Sequence, residues 1–230
     1  MPPSNDPHDV NRVLRAVPAF AGLEPATLEF VAREAIPRPY AAGEVLFLEG
    51  EPCAGLFIVE SGWLKVVKTS PSGREQIIRI VGAGELFNEV EVFAGVPNQT
   101  TVLALEPAVV CTISYPAMRQ LLHQHPDFAR IINENLARRV LQLLALVEDL
   151  SLRSVEARLA RVLLESASAG EVPRRRWTTQ AEMAARLGTV PDVLNRALRS
   201  LVEEGLIELD RRHIKILDPQ KLAQKADGES

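Results

Sequence analysis

The chemistry most plainly written in this chain lies between Gln180 and Arg199. Ala184 is small, Gly188 follows four residues later, and Leu194 comes six after that, with Met183, Leu187 and Leu198 as further apolar positions. This spacing predicts two helices crossing closely at a tight turn. The small residue permits the crossing, the glycine takes the left-handed turn, and Leu194 anchors the second helix on the first. Pro191 suits the first turn of that second helix, and Asp192 suits its positive dipole end. Leu194, Ala197, Leu198 and Leu201 share one face of it, whereas Asp192, Asn195, Arg196 and Arg199 recur at i, i+3, i+4 and i+7 on the other. A polar outer face of this kind can hydrogen-bond base edges in a major groove. Arg196 offers a planar fork for guanine O6 and N7, while Asp192 can accept from cytosine N4 or orient Arg196. Thr179 and Gln180 open the preceding helix, where hydroxyl, amide and backbone N–H groups meet phosphate. Downstream, Gly205–Leu209 and Ile214–Ile216 flank Asp210-Arg211-Arg212-His213, a two-stranded wing with Arg211 and Arg212 at its tip. Any one of these arginines, taken alone, reads as a solvated side chain. Spacing, face separation and wing together imply a double-stranded DNA partner.

Other chemistries lack their residues. Cys53 and Cys111 are far apart and neither belongs to a CxxC, so a disulfide framework, a zinc site and an iron–sulfur cluster are unsupported, and no metal site is expected. Both read as buried or half-buried thiols. Of His8, His123, His125 and His213, the middle pair stand two apart beside a polar turn, not at helical ligand spacing, and read as solvated. A barrel enzyme of the cupin kind would need clustered His and Glu ligands on its strands, and none is present. The opening MPPSNDPHDV has neither a basic nor an apolar signal region, and the apolar-rich run Val140–Val147 is short of the roughly 20 residues of a membrane helix. The absence of a membrane partner and a cytoplasmic location are the resulting expectations.

The formal charge of −4 on 230 residues is at odds with a DNA partner until it is divided. Residues 153–216 hold 12 Lys plus Arg against 9 Asp plus Glu, a net +3, while the remainder holds 14 against 21, a net −7. Arg174, Arg175 and Arg176 stand just before the helical pair.

Four zones must position these residues. Residues 9–36 show helical spacing through Val13, Leu14 and Val17, then Leu28 and Val31, with Pro25 near the start of the second helix. From Tyr40 to Ser114 the period changes to short β-branched runs bounded by glycine turns: Val45–Leu48, Leu56–Val59, Leu64–Lys68, Gln76–Val81, Thr100–Leu105 and Val109–Ile113. Many short strands at close spacing imply an antiparallel barrel or jelly roll. From Pro116 to Ser151 a short helix precedes a long one opened by Pro126. On the long helix Leu136, Val140, Leu143, Val147 and Leu150 are spaced 4, 3, 4 and 3 apart, a heptad seam. Ile132, Leu141, Leu144 and Leu146 widen it, and a helix apolar on more than one face needs two partners, here its own barrel and a second copy. The fourth zone is the helical DNA-reading region with its wing, and the C-terminal residues beyond it read as a loose polar tail.

A β-barrel, a long dimerising helix and a winged helix-turn-helix in this order resemble the cyclic AMP receptor protein and fumarate–nitrate regulator (CRP/FNR) superfamily of bacterial transcription factors. The resemblance spans nearly the whole chain. It rests on Gly43 to Glu51, Gly62 to Val66 and the helix-turn-helix. It also rests on Gly84-Glu85-Leu86-Phe87-Asn88-Glu89, continuing to Pro97-Asn98-Gln99-Thr100-Thr101, which is similar to the superfamily's phosphate-binding cassette. The resemblance implies an effector pocket at Asn88, Glu89, Gln99 and Thr100, with Leu143 and Leu144 near the adenine-contacting positions. The cyclic-AMP binders carry Gly at the place of Asn88, Arg at that of Gln99, and hydroxyl residues near those two leucines. Glu89 can still accept from a ribose hydroxyl and Thr100 can still donate to a phosphate, but Gln99 brings no charge to a cyclic phosphate. Cyclic AMP is thereby disfavoured, with another small-molecule effector left open. The cysteine cluster of the oxygen sensors and the barrel histidine of the haem sensors are absent, so neither an iron–sulfur cluster nor haem is supported. The pattern from Phe87 to Asn98 is similar to the nitric-oxide-responsive members. On the recognition helix, where members of the superfamily read R-E-x-x-x-R or V-E-x-x-S-R, this chain keeps the distal Arg196, shortens the acid to Asp192 and has Pro191 for the proximal Arg.

The expected fold class is α+β. Residues 1–125 would form the N-terminal helices and the antiparallel effector-sensing barrel or jelly roll, 126–153 the dimerisation helix and hinge, 154–219 the winged helix-turn-helix, and 220–230 the tail. The expected function is a homodimeric, sequence-specific DNA-binding transcription regulator with no enzymatic activity, meeting RNA polymerase if it activates. The competing expectation is a cyclic-nucleotide-binding module whose output is not DNA binding.

Overall fold

The computed structural model describes residues 14–228 except 16, 18, 19, 21, 169, 174, 176, 211 and 212. His8, Val13, Arg174, Arg176, Arg211 and Arg212, singled out above, lie outside the described residues. The chain divides into two compact units, Met1–Lys68 with Ile78–Leu141 and Thr69–Ile77 with Gln142–Ser230, so the division falls inside the long helix.

The first unit centres on a jelly-roll-like pair of sheets. Its elements are α1 (Pro25–Glu34), β1 (Ala35–Tyr40), β2 (Val45–Phe47), β3 (Gly55–Ser61), β4 (Trp63–Thr69), β5 (Glu75–Gly82), β6 (Leu86–Phe87), α2 (Glu89–Ala94), β7 (Thr101–Ala104), β8 (Ala108–Ser114) and α3 (Tyr115–Gln124). The sheets run β1-β8-β3-β6 and β2-β7-β4-β5. Phe57 and Val59 of β3 meet Phe47, Leu64, Val66 and Val102 of the other sheet in one core. The intervening Leu56 and Ile58 enter a second core with Leu28, Val31, Met118, Phe128 and Ile132 from the helices. A strand covered on both faces reads as an unbroken apolar run, as Leu56-Phe57-Ile58-Val59 does. Each such side chain contributes about 1.5–3 kcal/mol of burial.

Two sequence expectations are corrected here. The helical zone extended to residue 36, yet Ala35–Tyr40 is a strand, antiparallel to β8. Pro37 and Pro39 hide it. Spaced two apart, they leave their missing donors on one side of the strand, which an edge position can spare. His125 is not solvated, because α1 packs on α3 close by. Its Nδ1 lies 2.7 Å from the hydroxyl of buried Thr27 and its ring 5.7 Å from that of Phe30. His123 is exposed.

The long helix α4 (Pro126–Leu152) has 27 residues, about 40 Å at 1.5 Å per residue. Its first turns bury Phe128, Ile131 and Ile132, and Leu136 is partly buried beside them. Farther along, Val140 is 56% exposed and Val147 61%.

In the second unit Ser154 caps α5 (Val155–Ser166), its side chain accepting from the Ala157 N–H at 3.1 Å. Then come β9 (Glu171–Pro173), α6 (Gln180–Arg186), α7 (Pro191–Glu203), β10 (Ile207–Leu209) and β11 (His213–Ile216). Strand β9 completes a three-stranded sheet, β10-β11-β9, one strand more than the two-stranded wing expected. The loose tail is also corrected, since Pro219–Asp227 is a helix, α8, capped by Asp218 and ended by Gly228 at φ +83°. It buries Leu222 and Ala226, four residues apart. Two apolar residues suffice for a face on a helix of this length, and the polar remainder disguises them. No helix among the described residues is long and apolar enough to cross a membrane.

Candidate nucleic-acid interface

The tight turn forms where the spacing predicts it. Ala184 and Leu194 are fully buried and Gly188 takes φ +66°. Thr179 is the N-cap of α6, its Oγ1 accepting from the Glu182 N–H at 3.1 Å. Pro191 is at the start of α7 and Asp192 in its first turn. The faces of α7 separate cleanly, with Leu194, Ala197, Leu198 and Leu201 buried, Asp192, Arg196 and Arg199 exposed, and Asn195 half-buried. Asn195 donates from Nδ2 to Gln180 Oε1 at 3.3 Å, tying the two helices at their outer edge. No ion pair joins Asp192 to Arg196 among the described residues. Between α6, α7 and the wing strands lies a cleft of about 180 Å³ with Met183, Leu194 and Leu198 on its floor and Thr179, Gln180 and Arg199 among its polar lining. One residue that spacing did not reveal is Arg158 on α5, whose Nη1 donates to Leu187 O at 2.5 Å and so holds the turn from behind.

In the first unit, Asn88 to Thr101 makes a second polar constellation. Asn88 has φ +71°, the one non-glycine residue at positive φ among those described. Its side chain does not project into open space. Its Nδ2 donates to Gly55 O at 3.1 Å and to Asn98 Oδ1 at 3.3 Å. Gln99 is exposed, its amide donating to Pro97 O at 2.8 Å, and Thr100 is half-buried. The backbone N–H of Gln99 donates to Glu91 Oε1 at 3.4 Å. Glu91 is buried, as is Glu89. Arg79 pairs with Glu85 at 2.7 Å and donates to Leu86 O at 3.0 Å. Burial pushes the Arg139 guanidinium down, Arg79 pushes it the same way, and Glu89, Glu91 and Glu85 oppose them. Two cations thus face three carboxylates in this cluster. Leu143 and Leu144 are both exposed. No group of three or more His, Cys, Asp or Glu suited to a metal ion occurs among the described residues.

A model of the cyclic nucleotide-binding domain matches residues 37–125, and one of the Crp-like helix-turn-helix domain matches residues 157–225. "Probable transcriptional regulator flp" of Lacticaseibacillus casei is 30% identical over 212 residues, covering 90% of this chain and 94% of that protein. The "CRP-like cAMP-activated global transcriptional regulator" of Mycobacterium tuberculosis is 26% identical over 223 residues, 94% of this chain and all of its own. A solved CRP-family transcriptional regulator from Thermus thermophilus superposes with a TM-score of 0.67 at 28% identity, covering 83% of this chain and 96% of that one. The chain belongs to the CRP/FNR family. It is a DNA-binding transcription regulator of the CRP/FNR type, and that family is one of regulators, not of enzymes.

Within this CRP/FNR chain, Glu89 supplies a pH test. Burial raises its carboxyl most; its own backbone N–H, Arg79 and Arg139 lower it, Glu91 raises it, and the net direction is upward. The folded state therefore holds this proton more tightly than the unfolded one, so stability falls as pH climbs from the unfolded value, about 4.3, through the higher folded one. Glu89→Gln is expected to raise the melting temperature near neutral pH and leave it unchanged below about pH 4. Thermal melts across that range decide it, and an equal offset at every pH would contradict the assignment.

Proposed function

We propose that two copies of this chain associate along α4 and read a pseudo-palindromic duplex, one half-site per copy. The observation that carries this is the stripe Val140, Leu143, Val147 and Leu150, which continues the apolar seam of partly buried Leu136 and stays exposed on the single chain. Arg196 reads a base edge from the exposed face of α7, with Asp192 and Asn195 beside it. Thr179, Gln180 and Arg199 hold the DNA backbone, with the wing-tip Arg211 and Arg212 as further phosphate contacts. Residues 1–125 sense, 126–153 dimerise and hinge, and the DNA-reading region runs from 154 through α8. The protein works in the cytoplasm and meets RNA polymerase where it activates.

The cassette's effector is not cyclic AMP in this reading. The Mycobacterium tuberculosis relative is named as cAMP-activated, but here the cassette carries its own anion. Glu91 already takes the Gln99 N–H, Gln99 adds no charge, and the Asn88 side chain is spent on Gly55 and Asn98. A further phosphate would add negative charge to a cluster in which three carboxylates already outnumber two cations.

Footprinting is expected to show two protected half-sites about one helical turn apart, and native mass spectrometry a dimer, with any retained small molecule seen in the same spectrum. Micromolar cyclic AMP should alter neither melting temperature nor DNA affinity. A single asymmetric half-site would sink the two-fold reading, and stabilisation by several degrees would sink the effector reading.

A further inference from the structure

Helix α8 reaches three parts of the second unit at once. Lys225 Nζ lies 2.6 Å from Glu204 Oε1, at the C-cap of α7, and 3.4 Å from Glu156 Oε2, in the first turn of α5. At the next residue, the carbonyl of Ala226 accepts from Arg153, the first residue after α4. That same guanidinium lies 3.0 Å from both Glu148 and Asp149 on the last turns of α4, and Asp149 also takes Arg161 of α5 at 3.0 Å. Apart from Arg153–Asp149, one partner in each pair is sheltered and the other more open: the side chains of Arg153, Asp149 and Lys225 are 18%, 21% and 24% exposed, and those of Glu148, Glu204 and Glu156 51%, 41% and 37%. Beneath them Leu222 and Ala226 are buried among Leu159, Leu163 and Leu201. Exposed pairs contribute little, but pairs shielded and linked in series hold geometry more firmly. Glu204 and Lys225 each favour their charged forms through the bond they share, which lowers the one and raises the other.

We infer that α8 is a strap that positions the recognition helix on the hinge, with Lys225 and Arg153 as positioning residues for DNA reading. The relay runs from the end of α7 through Lys225 and the last turn of α8 to Arg153, and so to the end of α4. A hinge tied in this way fixes the angle at which α7 leaves α4. In the two-copy reading proposed above, on which this inference rests, that angle sets the separation of the two recognition helices. The strap's output is therefore a preferred half-site spacing, not the affinity of one half-site.

The test uses the full-length chain and a duplex that the wild type selects from a randomised pool, together with versions of it carrying one base pair more or fewer between half-sites. Wild type should discriminate sharply among spacings. Lys225→Met and Arg153→Met should each lose about tenfold of that discrimination, the size of a typical coupling between sites. Affinity for a single half-site should be unchanged, and Lys225→Arg should restore the preference. A merely structural role would lower melting temperature and leave the spacing profile intact, and that outcome overturns the strap. Wild type lacking any spacing preference would instead overturn the two-fold reading beneath it. Should a variant fold poorly, hydrogen exchange of wild-type Arg153 and Ser154, the two residues between α4 and α5, stands in for it. Protection of these amides comparable to that of α5 supports the strap, and exchange as fast as an untethered loop overturns it.

Discussion

Val147→Glu is expected to turn the protein into a monomer and to weaken binding to its operator by about 10²- to 10⁴-fold, the range over which two linked binding events exceed one. Val147 is 61% exposed on the single chain, so the substitution removes nothing from the core of either unit. In a parallel pair of α4 helices it faces the seam, where each copy would set a carboxylate against its counterpart. Like charges forced together away from water are costly, and neither has a cation of its own copy on that stripe to meet. Sedimentation or native mass spectrometry reads the assembly, and fluorescence anisotropy reads the operator. Arg138→Glu, exposed on α4 and about half a turn round the helix from both Leu136 and Val140, serves as the control and should change neither. A Val147→Glu protein that remains a dimer with undiminished affinity would place the interface elsewhere.

What could be read from the chain beforehand tracks the range of the physical requirement. The helix-turn-helix is legible because its constraints are local and steric. Ala184 must be small, Gly188 must take φ +66° and Leu194 must be buried, all within eleven residues. The doubly buried β3 is legible for a similar reason, since an unbroken apolar run leaves no polar face to misplace. Strand β1 is not, because its prolines are forbidden in most strands and allowed at an edge, and only the sheet order shows which it is. Helix α8 is not, because its burial depends on α5 being beside it. The cassette is the most instructive miss. Its motif shows which residues line it and that Gln99 is uncharged. That Glu91 bonds the Gln99 N–H depends on the turn after α2, which brings residues eight apart together. Asn88 stands where the cyclic-AMP binders carry Gly, yet its side chain does not crowd the cassette. Instead it adopts the left-handed conformation that asparagine tolerates better than most residues, and turns its amide inward to Gly55.

Arg196→Ala should relax sequence discrimination at one base position of each half-site while leaving general affinity for duplex DNA nearly intact. A bidentate arginine–guanine contact is worth about 1–3 kcal/mol of discrimination. Lost once in each half-site, it should weaken operator binding by about 30-fold to 10⁴-fold. Arg196 is exposed on α7 and has no hydrogen bond or ion pair among the described residues, so melting temperature should not move. The loss should be confined to one base position per half-site. Arg199 gives the contrast, because it lines the cleft with Thr179 and Gln180, at the side of α7 nearer the start of α6. Its replacement by Ala should weaken every duplex alike and reduce the salt dependence by about one unit of slope, the mark of a phosphate contact. Arg196→Lys sharpens the distinction, since a point charge keeps the attraction to phosphate and loses the planar fork. If Lys at 196 restores full discrimination, or if Ala at 196 weakens all sequences equally, Arg196 grips the backbone and base reading falls to Asp192 and Asn195.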